Sequence, residues 1–186
     1  TRDDEVSKRK GQKQKEKATI GSYAASLIEP GDFVYIDAGT TTEKMLPYIT
    51  EHDATFVTNA VNHAMVLASE GFQVYILGGE FKRMTEAIVG EEALYSLKKY
   101  NFTKGFFGAN GITKEEGFTT PELKEAMVKQ RAFLSCKDRY VLADDSKFGT
   151  ISAISFGDFD SATVITDVIT KRGFKGLKNI KEVADR

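Results

Sequence analysis

Six consecutive residues, Asp37-Ala38-Gly39-Thr40-Thr41-Thr42, follow an apolar run and stand where a helical pattern begins. A strand-to-helix turn needs one small residue and one cap, and this stretch supplies more. Gly39 lets backbone approach a ligand closely. Thr40, Thr41 and Thr42 fall where free N–H groups and the positive end of a helix dipole point outward. That chemistry suits an anion, and a phosphate in particular. The plain alternative is N-capping by threonine, for which a single hydroxyl suffices.

Other polar and glycine residues collect in the same way. Thr58-Asn59, Gly78-Gly79, Gly108-Ala109-Asn110-Gly111 and Asp144-Asp145-Ser146-Lys147 each end an apolar, strand-like run. Singly they are ordinary. Asn59 reads as the cap of the next helix, Gly78-Gly79 as a turn, and Asp144 with Lys147 as a surface pair. Glu125 and Lys129 have the i, i+4 spacing of a solvated helix pair. His63, one turn beyond Asn59, reads as a helix-surface histidine. Lys82 follows the Gly78-Gly79 turn and is within reach of an anion. Their gathering at strand ends gives them joint weight, because ligands of open parallel sheets bind in the crevice outside the carboxyl ends of the strands.

The elements that must position these residues are legible as alternating signals. Strand-like runs cover 33–39, 55–60, 74–79, 105–111, 140–146 and 163–167; helical patterns lie near 41–50, 60–70, 90–100 and 121–137. Ile20, Ala24, Leu27 and Ile28 share one face of an earlier helix that Pro30-Gly31 stops. Near-continuous apolar strands separated by helices predict a parallel sheet covered on both faces. Pro121 is expected in the first turn of its helix with Thr120 as cap. The last fifteen residues read as a loosely attached end with at most one short helix.

Composition narrows the class. With 186 residues, 41% hydrophobic and 28% charged, the chain has the make-up of one soluble globular domain. No run approaches a membrane span, and no signal-peptide pattern opens the chain. The single Cys136 falls in a helical pattern as a packed small hydrophobe, consistent with a reducing cytosol. Residues 1–17 hold seven basic and four acidic residues against a net charge of −1 for the chain, and read as a basic linker ahead of a domain at 18–186. The G-x-S-x-G elbow, the Walker loop and the G-x-G-x-x-G fingerprint are all missing, so a nucleophilic serine, a P-loop and a dinucleotide cofactor are not expected. The expectation is no metal, no cofactor and no catalytic residue.

In order, the chain contains D-A-G-T-T-T, V-T-N-A, I-L-G-G-E-F-K, G-A-N-G-I, E-A-M-V-K and A-D-D-S-K-F-G. Over residues 15–168 it resembles the effector-binding domain of DeoR-type bacterial transcription regulators. The resemblance implies a three-layer α/β fold like ribose-5-phosphate isomerase and glucosamine-6-phosphate deaminase. It also implies a sugar-phosphate effector and a preceding winged helix-turn-helix that binds operator DNA. That DNA-binding unit is not in this sequence, which reads as an isolated sensor domain of a cytoplasmic homodimer or homotetramer. Carried over residue by residue, Asp37, Gly39, Thr40 and Thr41 form the phosphate loop, with Thr58, Asn59, Gly78 and Gly79 beside it. Asn110 and Gly111 face the sugar, Glu125 approaches from its helix, and Asp144 and Lys147 close the far side.

The resemblance extends to regulators of Gram-positive fructose and lactose phosphotransferase operons, which makes fructose 1-phosphate the first candidate effector and tagatose 6-phosphate the next. Where the isomerases resemble D-G-A-D, this chain has Phe107-Gly108-Ala109-Asn110. Neither Phe107 nor Asn110 can act as a general base near neutral pH. A binding loop without those carboxylates implies a sensor rather than an enzyme. Glu125 and Asp144 keep an isomerase or deaminase-like enzyme as the alternative.

Overall fold

The computed structural model describes residues 14, 15 and 18–184. The expected linker therefore lies outside the described residues except at Gln14 and Lys15, which are helical.

In chain order the elements are α1 (18–26), β1 (Phe33–Ile36), α2 (Thr40–Glu43), β2 (Thr55–Thr58), α3 (Val61–Ser69) and β3 (Gln73–Ile76). There follow β4 (Glu80–Lys82), β5 (Ala87–Val89), α4 (Glu91–Leu97), β6 (Phe102–Gly108), β7 (Gly111–Thr113) and β8 (Gly117–Thr120). The chain ends with α5 (Leu123–Leu134), β9 (Cys136–Leu142), β10 (Ile154–Gly157), β11 (Thr163–Thr166) and β12 (Ile180–Glu182). Seven strands form one sheet in the order β12-β11-β9-β6-β1-β2-β3, with every pairing parallel.

Away from its edge strands β3 and β12 the sheet is buried on both faces, and strand alternation divides its side chains between two cores. Tyr35, Val57, Phe107, Val141 and Val164 pack with Ala93 and Leu97 of α4 and Val128, Ala132 and Phe133 of α5. Val34, Ile36, Phe56, Phe106, Leu142 and Ile165 pack with Ile20 and Ala24 of α1, Met45, and Leu67 of α3. This two-sided burial is why the strands read as apolar runs and not as alternating ones. On the second face α1 lies close against the loop after α2. A side chain at Gly21 would stand 2.5 Å from the Lys44 carbonyl oxygen, so only glycine fits.

Two small antiparallel sheets sit outside this frame: the hairpin β4–β5, and β10-β8-β7. Their three- and four-residue strands carry no long apolar run. The C-terminal segment departs from expectation. Instead of lying loose, its described residues include β12, which adds to the edge of the main sheet beside β11, held by Asn179, whose carbonyl accepts from Val164 N at 2.8 Å. Phe174 packs edge-on to Phe148 with 5.2 Å between centroids, which attaches this end firmly.

Two local expectations are also corrected. Helix α5 begins at Leu123, not at Pro121, and its cap is Glu122, whose carboxylate accepts from Glu125 N at 2.7 Å; Thr120 ends β8. Cys136 opens β9 instead of lying in a helix. It is a buried small hydrophobe, and that burial pushes its thiol pKa up to about 12.

Candidate functional site

The carboxyl ends of β1, β2 and β6 meet at the middle of the main sheet. Parallel register pairs Ile36 with Thr58 on one side and with Phe106 on the other. Asp37, Asn59 and Gly108 thus emerge next to one another. Outside them lies a cavity of about 470 Å³, walled by the turn after β1, the start of α3, the tip of the β4–β5 hairpin and the first turns of α5.

Asp37 is buried at the floor. Its Oδ2 accepts from Gly108 N at 3.2 Å and from Lys129 Nζ in a close ion pair. Lys129 Nζ also donates to the Gly108 carbonyl at 3.1 Å and lies 5.4 Å from the centroid of the Phe156 ring. Asn59 joins two walls: its Oδ1 accepts from Ala38 N at 3.2 Å and its Nδ2 donates to the Ile88 carbonyl at 3.1 Å. It does not cap α3, whose cap is Ala60.

The threonine turn resolves into separate parts. Gly39, with φ 130° and ψ 166°, is the residue before α2 and takes a backbone conformation that essentially only glycine adopts. Thr42 is buried, and its hydroxyl donates to the Asp37 carbonyl at 2.6 Å, which closes the turn from inside. Thr40 lines the cavity, whereas Thr41 does not. Because α2 has only four residues, the expected helix dipole contributes little, and the turn's backbone N–H groups and hydroxyls are what remain.

Of the expected contacts, the cavity brings together Asp37, Gly39, Thr40, Asn59, Asn110 and Glu125. Asn110 Oδ1 accepts from Thr120 Oγ1 at 3.1 Å, and Glu125 faces Lys82 at 4.0 Å. Thr41, Thr58, Gly78, Gly79, Gly111, Asp144 and Lys147 are not among the residues lining it. Thr58 is buried below the floor, donating to the Ile36 carbonyl at 2.6 Å. Gly79, at φ 147°, turns the chain into the hairpin, and Gly78 precedes it. Gly111 opens β7, which pairs with β8. Asp144 is buried, not at the surface, and its Oδ1 accepts from Ser146 N at 2.9 Å to cap the short helical turn Asp145–Lys147.

Sequence reasoning passed over several lining residues. Lys129 is not a solvated partner of Glu125; it is buried and points at Asp37. The available signal was its place in the apolar stripe of α5, three residues from both Ala126 and Ala132. His63 is buried as well, and its Nε2 lies 3.2 Å from Thr42 Oγ1. Burial lowers its pKa and outweighs the nearby charges of Glu43 and Asp37 and the Gly39 carbonyl, which act in the opposite sense. Glu43, Asn62, Met84 and Glu86 are also in the walls, Glu86 at a φ of 55°. Among the described residues no three His, Cys, Asp or Glu side chains are grouped to hold a metal ion, and no helix is long and apolar enough to cross a membrane.

Residues 12–168 match the family model of the DeoR C-terminal sensor domain. The chain belongs to that family. This DeoR sensor domain is 45% identical over 152 residues to the HTH-type transcriptional regulator FruR of Bacillus subtilis (strain 168), covering 81% of this chain and 61% of that protein. It is 35% identical over 174 residues to the lactose phosphotransferase system repressor of Staphylococcus aureus (strain NCTC 8325 / PS 47), covering 91% and 69%. The chain thus spans less than two thirds of the FruR regulator's length. Among solved structures it is similar to the ribose 5-phosphate isomerase of Plasmodium falciparum, with TM-score 0.53, 13% identity, and 72% and 52% of the two chains covered. It is similar also to the tetrameric eIF2B-β2-δ2 complex of C. thermophilum, with TM-score 0.55, 17% identity, and 81% and 49% covered. The sensor domain therefore has a ribose-5-phosphate isomerase-like α/β fold.

Proposed function

We propose that this chain is the effector-sensing part of a cytoplasmic transcriptional repressor of sugar-utilisation genes, and that it binds a phosphorylated sugar in the cavity over β1, β2 and β6. The carrying observation is the convergence there of Asp37, Gly39, Thr40, Asn59, Asn110 and Glu125, polar groups from separate segments around one concave space. Gly39, Thr40 and Asn59 take the phosphate end; Asn110 and Glu125 take sugar hydroxyls. The resemblance to regulators of fructose and lactose phosphotransferase operons makes fructose 1-phosphate the first candidate and tagatose 6-phosphate the second, and one relative is by name a lactose phosphotransferase system repressor.

Operator binding belongs to a winged helix-turn-helix in the longer protein, which acts as a homodimer or homotetramer. Ligand alters operator affinity only if it binds two states of the protein unequally. Phe107 is wholly buried, and the Asn110 amide holds Thr120, so neither position offers a carboxylate for proton transfer. Binding without conversion is the reading these residues support.

Calorimetric titration with each sugar phosphate tests the assignment. Affinity in the micromolar range is expected for one of them, and silence from both at millimolar concentration would reject it. Glu125 is the one acid of the enzymatic alternative that lines the cavity, since Asp144 does not. Deuterium uptake at the carbon beside the carbonyl of bound ketose phosphate would favour that alternative, and none is expected.

A further inference from the structure

The cavity is short of positive charge. Among the described residues, Asp37, Glu43, Glu86 and Glu125 line it against a single ammonium, that of Lys129. Lys129 is already engaged by Asp37 and by the Gly108 carbonyl. A sugar phosphate entering as a dianion meets carboxylates on several walls, and repulsion in a partly desolvated space is stronger than in water. One further lining side chain can become a cation, and it is His63.

The geometry sets its starting state. His63 is only 4% exposed. The Thr42 hydroxyl donates its one proton to the Asp37 carbonyl at 2.6 Å, so its contact with His63 at 3.2 Å requires the imidazole to donate from Nε2. The neutral ring then carries its lone pair on Nδ1, and Nδ1 is buried without a hydrogen-bond partner among the described residues. A buried nitrogen left unpaired is costly and marks a place completed by something else.

We propose that His63 is the proton-linked contact of the effector site: neutral without ligand, it takes a proton from solvent at Nδ1 as the sugar phosphate binds, keeps it, and hydrogen-bonds a phosphate oxygen through that N–H. This rests on the sugar-phosphate reading of the cavity. The charged groups that share the cavity with the ring are Asp37 from the end of β1, Glu43 from α2, Glu86 from the hairpin, and Glu125 and Lys129 from α5, and Glu43 and Asp37 act on it directly. Burial keeps the ring neutral until a dianion arrives, against the pull of Glu43, Asp37 and the Gly39 carbonyl toward the imidazolium. Protonation answers the site's charge deficit at the moment of binding and fills the unpaired position. The sign follows from linkage: a group whose pKa rises on binding makes affinity fall as pH increases.

The test is calorimetric titration of the domain with fructose 1-phosphate and with tagatose 6-phosphate at about pH 7.5, where the ligand phosphate is almost fully ionised. Two buffers of different ionisation enthalpy report the protons exchanged. Uptake of about half to one proton per ligand is expected, with affinity weakening roughly fivefold or more from about pH 6.5 to 8. His63→Gln should bind more weakly, take up no proton and show a flat profile. Should that variant fail to fold, NMR titration of the wild-type imidazoles decides: His63 must gain a higher pKa with ligand. His52, stacked on Phe72 at 4.2 Å and not lining the cavity, serves as the control. Binding without proton uptake, uptake that persists in His63→Gln, or an unmoved His63 pKa overturns this proposal alone. Failure of both ligands to bind overturns it together with the sugar-phosphate reading.

Discussion

Strand β1 has an aspartate–lysine pair at each end, half-buried at the amino end and buried at the carboxyl end, and the two pairs differ in how fully they are used. At the amino end, Asp32 accepts from Lys104 Nζ at 2.6 Å, Glu29 N at 2.8 Å and Thr103 Oγ1 at 2.8 Å, so both carboxylate oxygens are occupied. At the carboxyl end, the hydrogen bonds of the Asp37 carboxylate all fall on Oδ2, from Lys129 and Gly108 N, and its pair lines the cavity. The first pair fastens β1 to β6 and is chemically complete. The second fastens β1 to α5 at a wall that a ligand can touch. Like residues on one strand thus serve as joint or as site according to what remains open beside them.

The largest expected effect is from Lys129→Met, which leaves the Asp37 carboxylate buried and unpaired. Urea denaturation should register a loss of about 3–5 kcal/mol, and sugar-phosphate binding should vanish. Adding Asp37→Asn should restore most of the stability and none of the binding. Lys104→Met should cost less, about 1.5–3 kcal/mol, because Glu29 N and Thr103 still serve Asp32. Its sugar-phosphate affinity should stay within about twofold of wild type. Equal loss of binding in both lysine variants would erase the distinction between joint and site.

Acid titration separates the pairs further. Burial pushes the Asp32 carboxyl up, but Lys104, Glu29 N and Thr103 outweigh it and hold its pKa below the ordinary value. Its stabilising contribution is therefore complete above the unfolded-state pKa and lost as pH falls through the depressed folded one. Asp32→Asn should flatten the stability profile below about pH 4, as followed by urea midpoints. The smallest effect is expected from Lys147→Ala: it lies outside the cavity, and calorimetry should find affinity changed by less than about twofold.

Much of the frame was legible because each buried strand is an apolar run, and the polar residues that end those runs do lie along one edge. What the sequence did not convey is the width of that edge. Neighbouring strands stand about 4.8 Å apart. A cavity centred on β1 reaches the ends of β2 and β6, while Gly78-Gly79 after β3 and Asp144–Lys147 after β9 are each two strands away. The same motif logic therefore selected residues inside and outside the cavity. Lys129 and His63 were missed for a different reason: side chains that favour solvent were assigned to it, although Lys129 occupies a core position of its helix. The strands of the small sheets were missed because three or four residues without a continuous apolar run hold too little pattern to register.

Gly21 has a mechanical meaning. With no room for even a methyl group between α1 and the Lys44 carbonyl, the first helix of the folded core rests backbone to backbone on the segment that continues from the threonine turn. There is no compressible side chain at that seam to absorb a shift. A displacement of the turn is passed to α1 undamped, as a push along a rod and not a pull on a tether.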